Sequence, residues 1–440
     1  MSEEFLQAGA GFAALLLLIV ARAPVGLAML LVGAFGYAHV IGWEALANYM
    51  KATPYHLFSN YTFSVIPLFI LMGSIAEHGG LARDLFTAAQ ALVGRRRGGL
   101  AIGVIGASAA FGAVCGSSVA TTATFGRAAL PELLRYRYDP GLAAGTIAVG
   151  GTLGILIPPS VILVVYAIST EQNIAKLFMA ALVPGLLATG LYMLAALLVA
   201  RRWPESMPPA PALSAPERRA ALRGALPILL IAAVVVGGIY GGVFTPTESA
   251  AVGVAATLGV ALARHSLGGA GLLAALRGTA ETTAMIFVIL LGAEVFNAFL
   301  ALTQAPDLLA LWISEQALPA YGILALLLLS YILLGAVMDE LAMILLTLPV
   351  FFPVVTALDF GLTPEETAIW FGILVLVVVG IGLTAPPIGL NVFVVSALAR
   401  TVPIARIYRG VLPYLAMDLL RLLLCVAFPA LSLALVRWLG

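Results

Sequence analysis

Apolar runs, each long enough to cross a hydrocarbon core of ~30 Å as a helix of about 20 residues, recur along almost the whole chain. In lipid every backbone N–H and C=O must be satisfied within the structure, so such a chain folds as packed membrane-spanning helices. With 62% hydrophobic and only 10% charged residues over 440, a water-soluble globule is excluded. A net charge of +1 gives no reason to expect a nucleic-acid partner. Cys115 and Cys425 lie inside apolar runs without metal-ligand spacing, so neither a disulfide framework nor a metal centre built on cysteine is expected. The N-terminus carries Glu3 and Glu4 where a cleaved signal peptide would be positive, so the first run reads as a retained span.

Spans are expected over 5–21, 24–40, 61–78, 141–168, 174–200, 224–243, 247–263, 281–300, 367–397 and 411–438. Two further apolar stretches, 98–134 and 321–358, are too long for one crossing and are interrupted near the middle, by CGSS at Cys115 to Ser118 and by MDE at Met338 to Glu340. A helix, a tip and a returning helix is the economical reading, and such a re-entrant hairpin survives only where its tip is buried in protein or lines a wet cavity. An Arg- and Pro-rich linker over 201–222 divides the chain into 1–200 and 223–440. Short amphipathic arms at Leu81 to Val93 and Ile404 to Leu412 are expected at the interface.

The halves resemble each other in order. Pro24 matches Pro246, FILMG at Phe69 matches VILLG at Val288, Pro158-Pro159 matches Pro386-Pro387, and IAKLF at Ile174 matches IARIY at Ile404, with offsets drifting only from 219 to 230. Each half has five crossings and one hairpin that does not cross, and five is odd, so the second half is expected to be inverted. With the N-terminus outside, all Lys and Arg fall on the cytoplasmic side except Lys51, Lys176 and Arg437, and Arg421, which lies inside a span. The first hairpin is flanked by arginines and the second by acids, as entry from opposite sides requires.

Spans 141–168 and 367–397 are long for the bilayer, and each carries a glycine-rich stretch into a proline pair, GGTLGILIPPS and GIGLTAPPIGLN. Proline removes a donor, disfavours helix just before itself and suits the first turn of a new helix, so both spans are expected to break near mid-membrane. A broken helix offers carbonyls to a hard cation at one half-helix end and N–H groups to a carboxylate at the other. No Lys or Arg is expected near tips or breaks, so an anionic solute would be held by dipoles, hydroxyls and co-bound cations. Ser117, Ser118, Thr121 and Thr122 can supply hydroxyls, or simply bond to carbonyls one turn back. Asp339 is favoured as a cation ligand because an intramembrane acid is by default a functional candidate, and Glu340 shares its tip. Glu294 is a candidate for a proton relay; Glu248 and Glu281 read as structural, Asp418 and Arg421 as a mutual pair, and His39, His56, His78 and His265 as interfacial. No phosphate-binding GxxxxGK[ST] loop, helical His/Glu metal pair or nucleophile with an evident base is present, so neither ATP use nor enzymatic activity is expected.

The run GGLAIGVIGASAAFGAVCGSSVATTATFGRAALPELLRYRYDPGLAAGTIAVGGTLGILIPPS, the segment GGVFTPTESAAVG, and AVMDELAMILLTLPVFFPV followed by GLTAPPIGLNVFV resemble the DctM-like large membrane subunit of tripartite ATP-independent periplasmic (TRAP) transporters over essentially the whole chain. The resemblance implies an all-α polytopic inner-membrane protein. Its inverted repeat would have five transmembrane helices plus one re-entrant hairpin per half and two broken helices, and it would work as an elevator. It implies Na⁺-coupled import of carboxylate-bearing organic solutes with a small four-helix membrane subunit and a periplasmic substrate-binding protein. Carried onto this sequence, Na⁺ would be held by Gly116, Ser117 and Ser118 with Gly151, Gly154 and Pro158, and by Met338 and Asp339 with Gly380, Gly382, Thr384 and Pro386. Substrate would lie between the tips, against Ser118, Thr121, Pro159, Ser160, Asp339, Pro387 and Asn391. Glu340 and Leu341 stand where the family pattern has Pro and Thr, and Cys115 where Ser is usual. The alternative within transport is a stand-alone Na⁺/anion symporter of similar design that needs no binding protein; a channel or scaffold subunit is disfavoured by the duplicated broken helices.

Overall fold

The computed structural model describes residues 3–211, 213–305, 308, 319–336 and 338–439, with side chains from residue 6 onward. Among these the regular structure is helical throughout: α1 (Glu3–Val20), α2 (Val25–Ile41), α3 (Trp43–Ser59), α4 (Val65–His78, entered through a 3₁₀ turn at Tyr61–Ser64), α5 (Leu81–Val93), α6 (Gly99–Cys115), α7 (Ser118–Arg135), α8 (Pro140–Leu156), α9 (Val161–Ser169), α10 (Ile174–Arg202), α11 (Ala215–Tyr240), α12 (Pro246–Ala263), α13 (Gly269–Leu302), α14 (Ala320–Gly335), α15 (Glu340–Thr356), α16 (Pro364–Gly382), α17 (Leu390–Leu398), α18 (Ile404–Ala427) and α19 (Ala430–Leu439). Among the described residues seven helices are long and apolar enough to cross a membrane alone, or eight if α8 and α9, bent by 43° at their break, count as one span. α1 and α2 are apolar but at the short edge of that range.

Both interrupted stretches fold as helix pairs, α6/α7 and α14/α15, and both proline-bearing spans break, α8/α9 and α16/α17. Pair followed by broken helix thus recurs in the same order in each half. Four expectations need correction. Residues 43–59, given no element from sequence, form α3, a helix carrying Pro54 whose apolar residues are interspersed with Glu44, Asn48, Lys51 and His56. The arm expected over 404–412 is continuous with the span behind it as α18, and the run 411–438 is divided at Phe428–Pro429 because proline cannot extend the helix before it. The span expected over 281–300 is the second part of α13, whose 34 residues reach ~51 Å.

Helix starts follow local chemistry. Asp139 caps α8, its Oδ1 accepting from Gly141 N at 2.8 Å and Leu142 N at 3.0 Å, with Pro140 in the first turn. Burial pushes the Asp139 carboxyl up, but Arg406, 2.6 Å from Oδ2, and the two N–H groups outweigh it and hold it below its ordinary range. Thr245 and Glu248, and Thr363 and Glu366, form reciprocal capping boxes on α12 and α16, which accounts for Glu248. The segment between α10 and α11 is pinned to the body: Gly98 N donates to Met207 O at 3.0 Å, Ala210 N to Gly94 O at 2.8 Å and Asp139 N to Ser206 O at 2.8 Å. α11 begins at Ala215, inside the linker expected from sequence.

Lipid tails are as apolar as leucine, so helix association here depends on close backbone approach at small residues. Gly26 and Gly33 of α2 lie against the backbone of α13, where an added Cβ would come within 2.9 Å of Ile289 Cα and 2.7 Å of Phe296 Cα. Gly145 of α8 faces Gly410 of α18, and a Cβ on Gly145 would reach Gly410 C at 2.5 Å. Gly382 and Gly335 bring α16 onto α14, with a Cβ on Gly382 2.8 Å from Gly335 Cα. Ion pairs between helices join groups that the charge reading puts on one side: Arg127–Glu77, Arg264–Asp84 and Arg406–Asp139 on the arginine-rich face, Lys176–Glu365 and Arg437–Glu366 on the other.

Gly145→Leu should overpack the α8–α18 crossing at a cost of about 1–3 kcal/mol, lowering by several degrees the temperature at which detergent-purified protein loses its monodisperse size-exclusion peak. Gly190→Leu, whose Cβ would meet nothing within 4 Å, should leave that temperature unchanged.

Candidate functional site

The first tip is a two-residue link. Gly116 adopts φ 65°, a left-handed conformation that suits glycine, and ends α6; Ser117 then caps α7, its Oγ accepting from Ala120 N at 3.4 Å. Thr121 Oγ1 donates back to Ser117 O at 2.7 Å, the local bond expected of a hydroxyl on a helix. The tip nests against the α8/α9 break. A Cβ on Gly154 would lie 2.5 Å from Thr121 Oγ1 and 2.6 Å from Ser117 O, and one on Gly151 would overlap Thr122 Oγ1, so only glycine admits this tip. Val161 N, past the break, donates to Gly116 O at 3.4 Å.

The break leaves acceptors without donors. The carbonyls of Gly154 and Ile155 would ordinarily accept from residues 158 and 159, which are prolines, and among the described residues no backbone N–H reaches them or Leu156 O. Thr122 Oγ1 and Ser108 Oγ are buried without a hydrogen-bond partner close to Gly151 and Gly150 respectively. Ser160 is fully buried and caps α9, its Oγ accepting from Leu163 N at 3.4 Å. Pro158 and Pro159 are buried with it.

The second tip carries charge. Asp339 caps α15, its Oδ1 accepting from Leu341 N at 3.1 Å and Ala342 N at 3.0 Å, and Met338 is buried beside it. Glu340 Oε2 is buried with no partner. The facing break is longer and more open: α16 ends at Gly382, α17 starts at Leu390, and Pro386 and Pro387 are exposed. Gly382 O would ordinarily accept from residue 386, again a proline. Thr384 Oγ1 turns back to Ile381 O at 3.2 Å, and the carbonyls of Pro387 and Ile388 accept from Tyr408 Oη at 3.0 and 2.5 Å.

One residue of the second break reaches the first tip. Asn391, fully buried at the start of α17, donates from Nδ2 to Ser118 Oγ at 2.8 Å and to Ala148 O at 3.0 Å, and its Oδ1 has no partner. Ser118, Thr121, Gly151, Gly154 and Asn391 are therefore gathered into one cluster, whereas Asp339 bonds to its own helix start and Pro387 to Tyr408. Glu294 is exposed and lines a polar cleft of about 500 Å³ with Tyr49, His56, Asn60, Glu171 and Asn297, between α3 and α13 on one side and α9 and α15 on the other. All four histidines are exposed.

A correction concerns basic residues. Arg421 is fully buried and its Nη2 lies 3.9 Å from where a Cβ on Gly380 would stand, so one arginine does approach the second break. It pairs with Asp418 at 2.7 Å, as its i,i+3 spacing suggests, and Tyr192 Oη donates to that carboxylate from 2.7 Å. Sequence reasoning missed Tyr192 and Thr152, whose hydroxyl oxygens are 3.2 Å apart. The available signal was the duplication, which aligns Thr152 with Gly380 at the offset of the two proline pairs.

Residues 12–431 match the family described as tripartite ATP-independent periplasmic transporter, DctM component. The chain is 39% identical over 382 residues to the C4-dicarboxylate TRAP transporter large permease protein DctM of Pseudomonas aeruginosa, covering 87% of each chain. It is 33% identical to the sialic acid TRAP transporter large permease protein SiaM of Vibrio cholerae, covering 86% of each. In fold it is similar to the crystal structure of the Alcanivorax borkumensis YdaH transporter, with a TM-score of 0.61 at 19% identity over 89% of this chain and 90% of the other. A multi-pass helical chain with paired hairpins and broken helices, matched over nearly its whole length, belongs to the DctM family of large permease subunits of TRAP transporters.

Proposed function

We propose that this chain is the large permease of a Na⁺-coupled importer of carboxylate-bearing organic solutes in the inner membrane. It receives its solute from a periplasmic binding protein and works beside a small four-helix membrane subunit. The observation that carries the reading is the pairing of each hairpin tip with a helix break in surroundings rich in unpaired acceptors. Thr122 Oγ1, Asn391 Oδ1 and the carbonyls ending α8 suit a hard cation at the first pairing. Asp339 and the Gly382 carbonyl suit one at the second. The guanidinium beside Gly380 disfavours a cation at the Gly380 carbonyl and leaves Met338, Asp339, Gly382 and Thr384 as the expected ligands.

Half-helix N-termini at α7, α9 and α17 suit a carboxylate, and Arg421, beside Gly380, is already paired with Asp418. Bound Na⁺ therefore supplies the countercharge for the solute, which couples the two. The printed substrates of the two relatives, a C4-dicarboxylate and sialic acid, are both carboxylates and favour that class here. For the movement itself, we propose that both hairpins, both broken helices, α10 and α18 travel together as an elevator against α1–α4 and α11–α13, in two inverted halves. The polar cleft between α3/α13 and α9/α15 lies along that boundary.

Proteoliposomes holding this chain and its small subunit should accumulate succinate or another candidate acid only with an inward Na⁺ gradient and the cognate binding protein outside. Uptake that survives collapse of the Na⁺ gradient would remove the coupling, and uptake without the binding protein would favour a self-sufficient symporter. Asp339→Asn keeps a helix-capping side chain but loses the charge. It should raise the Na⁺ concentration for half-maximal uptake about tenfold, ~1.4 kcal/mol, with membrane insertion intact; unchanged Na⁺ dependence would exclude Asp339 from the cation site.

A further inference from the structure

The two broken helices meet at equivalent positions. The proline pairs align Thr152 of α8 with Gly380 of α16, and a Cβ on Gly380 would stand 3.8 Å from Thr152 Cβ, so the duplicated helices touch six residues before each Pro-Pro. Around that contact sits a buried polar cluster that holds an ion pair. Tyr192 Oη of α10 lies 2.7 Å from both carboxylate oxygens of Asp418 and 3.2 Å from Thr152 Oγ1. Arg421 Nη2 is 2.7 Å from Asp418 Oδ1, and the guanidinium flanks Gly380. One turn further along α18, Cys425 O accepts from Trp370 Nε1 of α16 at 2.9 Å. Thr152, Asp418, Arg421 and Trp370 are all fully buried, as is Tyr192. The cluster therefore joins α8, α10, α16 and α18 behind both breaks, and no member of it lies at a hairpin tip.

Stability alone is a poor reason for such a group. Burying an ion pair costs desolvation that its attraction seldom exceeds, and well-packed apolar residues of similar volume usually serve as well or better; the best-attested use of buried charge is to fix register. Arg421 adds to the cost, since Nε, Nη1 and Nη2 all lack a partner in hydrogen-bond geometry and Nη2 meets Asp418 only at ion-pair distance. We propose that Asp418, Arg421 and Tyr192 are positioning residues that hold the two broken helices in one register, so that the two cation-binding breaks are set together and load Na⁺ cooperatively. The proposal rests on the Na⁺-coupled reading above for its kinetic consequence, but not for its structural one.

The physical route is short. The Thr152–Gly380 contact lies one residue from Gly151 and two from Gly382, the glycines on which Thr122 and Gly335 close. A shift of α8 against α16 at the contact moves both seats at once. Without the cluster the helices remain packed by side chains but lose the directional bonds that define how far one may slide along the other.

Two variants separate positioning from mere support. Tyr192→Phe keeps the ring, which packs edge-on to Tyr414 with centroids 6.1 Å apart, and removes the bonds to Asp418 and Thr152. The double substitution Asp418→Leu with Arg421→Met replaces the pair by apolar volume and should fold at least as well as the parent. In the reconstituted transporter both should lower the Hill coefficient of Na⁺ activation to about one and raise the half-maximal Na⁺ concentration about fivefold, the worth of one net buried hydrogen bond, with maximal rate retained. Hydrogen exchange of the purified proteins in Na⁺-free buffer should rise over both 150–160 and 380–390, although neither segment is altered. If the parent is Na⁺-independent, the coupling reading fails and exchange alone decides the positioning claim. If exchange in the two segments is unchanged in both variants, or if the apolar pair restores parental Na⁺ cooperativity, the positioning role is overturned.

Discussion

A backbone carbonyl or amide without a partner costs several kcal/mol in hydrocarbon, and this fold is organised by where it leaves such groups. The first hairpin tip and the α8/α9 break lie buried against each other. Pro158 and Pro159 withhold the N–H groups that would satisfy the end of α8, and the first tip covers that end because Gly151 and Gly154 let it approach. The second break is covered less completely, with Pro386 and Pro387 exposed and their loop held by Tyr408. An orphaned acceptor is a liability in a passive structure and a ligand in a cation-binding one. On the proposed Na⁺-coupled reading the same constraint gives both the architecture and the chemistry.

Glycine makes this possible at the level of packing. α2 on α13, α8 on α18, α14 on α16 and the first tip on α8 all meet where a Cβ would come within 3 Å of a backbone or hydroxyl atom. Close backbone approach replaces the hydrophobic drive that holds soluble helices together. Charged residues have been moved to the ends, where Lys176–Glu365, Arg437–Glu366, Arg264–Asp84 and Arg406–Asp139 tie neighbouring helices on the side each belongs to. Two places depart from this: the second tip, with Asp339 and Glu340, and Asp418 with Arg421, an ion pair kept at full burial against the contact of the two broken helices.

Much of this was legible in the sequence because the signals were local. CGSS and MDE inside overlong apolar runs marked the hairpins, and glycine-rich stretches ending in Pro-Pro marked the breaks, since proline's missing N–H acts within one turn. What was not legible depends on contacts between distant segments. Nothing near Asn391 announces that its amide reaches Ser118, 273 residues away, and nothing near Tyr192 announces Asp418. α3 escaped because its apolar residues are diluted by polar ones, so no span-like run exists over 43–59. The expectation that no basic residue approaches a break failed because Arg421 looked like half of a local i,i+3 pair, which it is, while its position against Gly380 belongs to the packing of α18 on α16.

The central claim is that two tip-and-break seats each hold one Na⁺ that supplies countercharge to an anionic solute. The most direct test is the thermodynamic stoichiometry, found as the solute gradient across proteoliposomes that brings net flux to zero at a fixed Na⁺ ratio and zero membrane potential. Two seats predict that the balancing solute ratio grows as the square of the Na⁺ ratio. A balance point independent of the Na⁺ ratio would contradict the account.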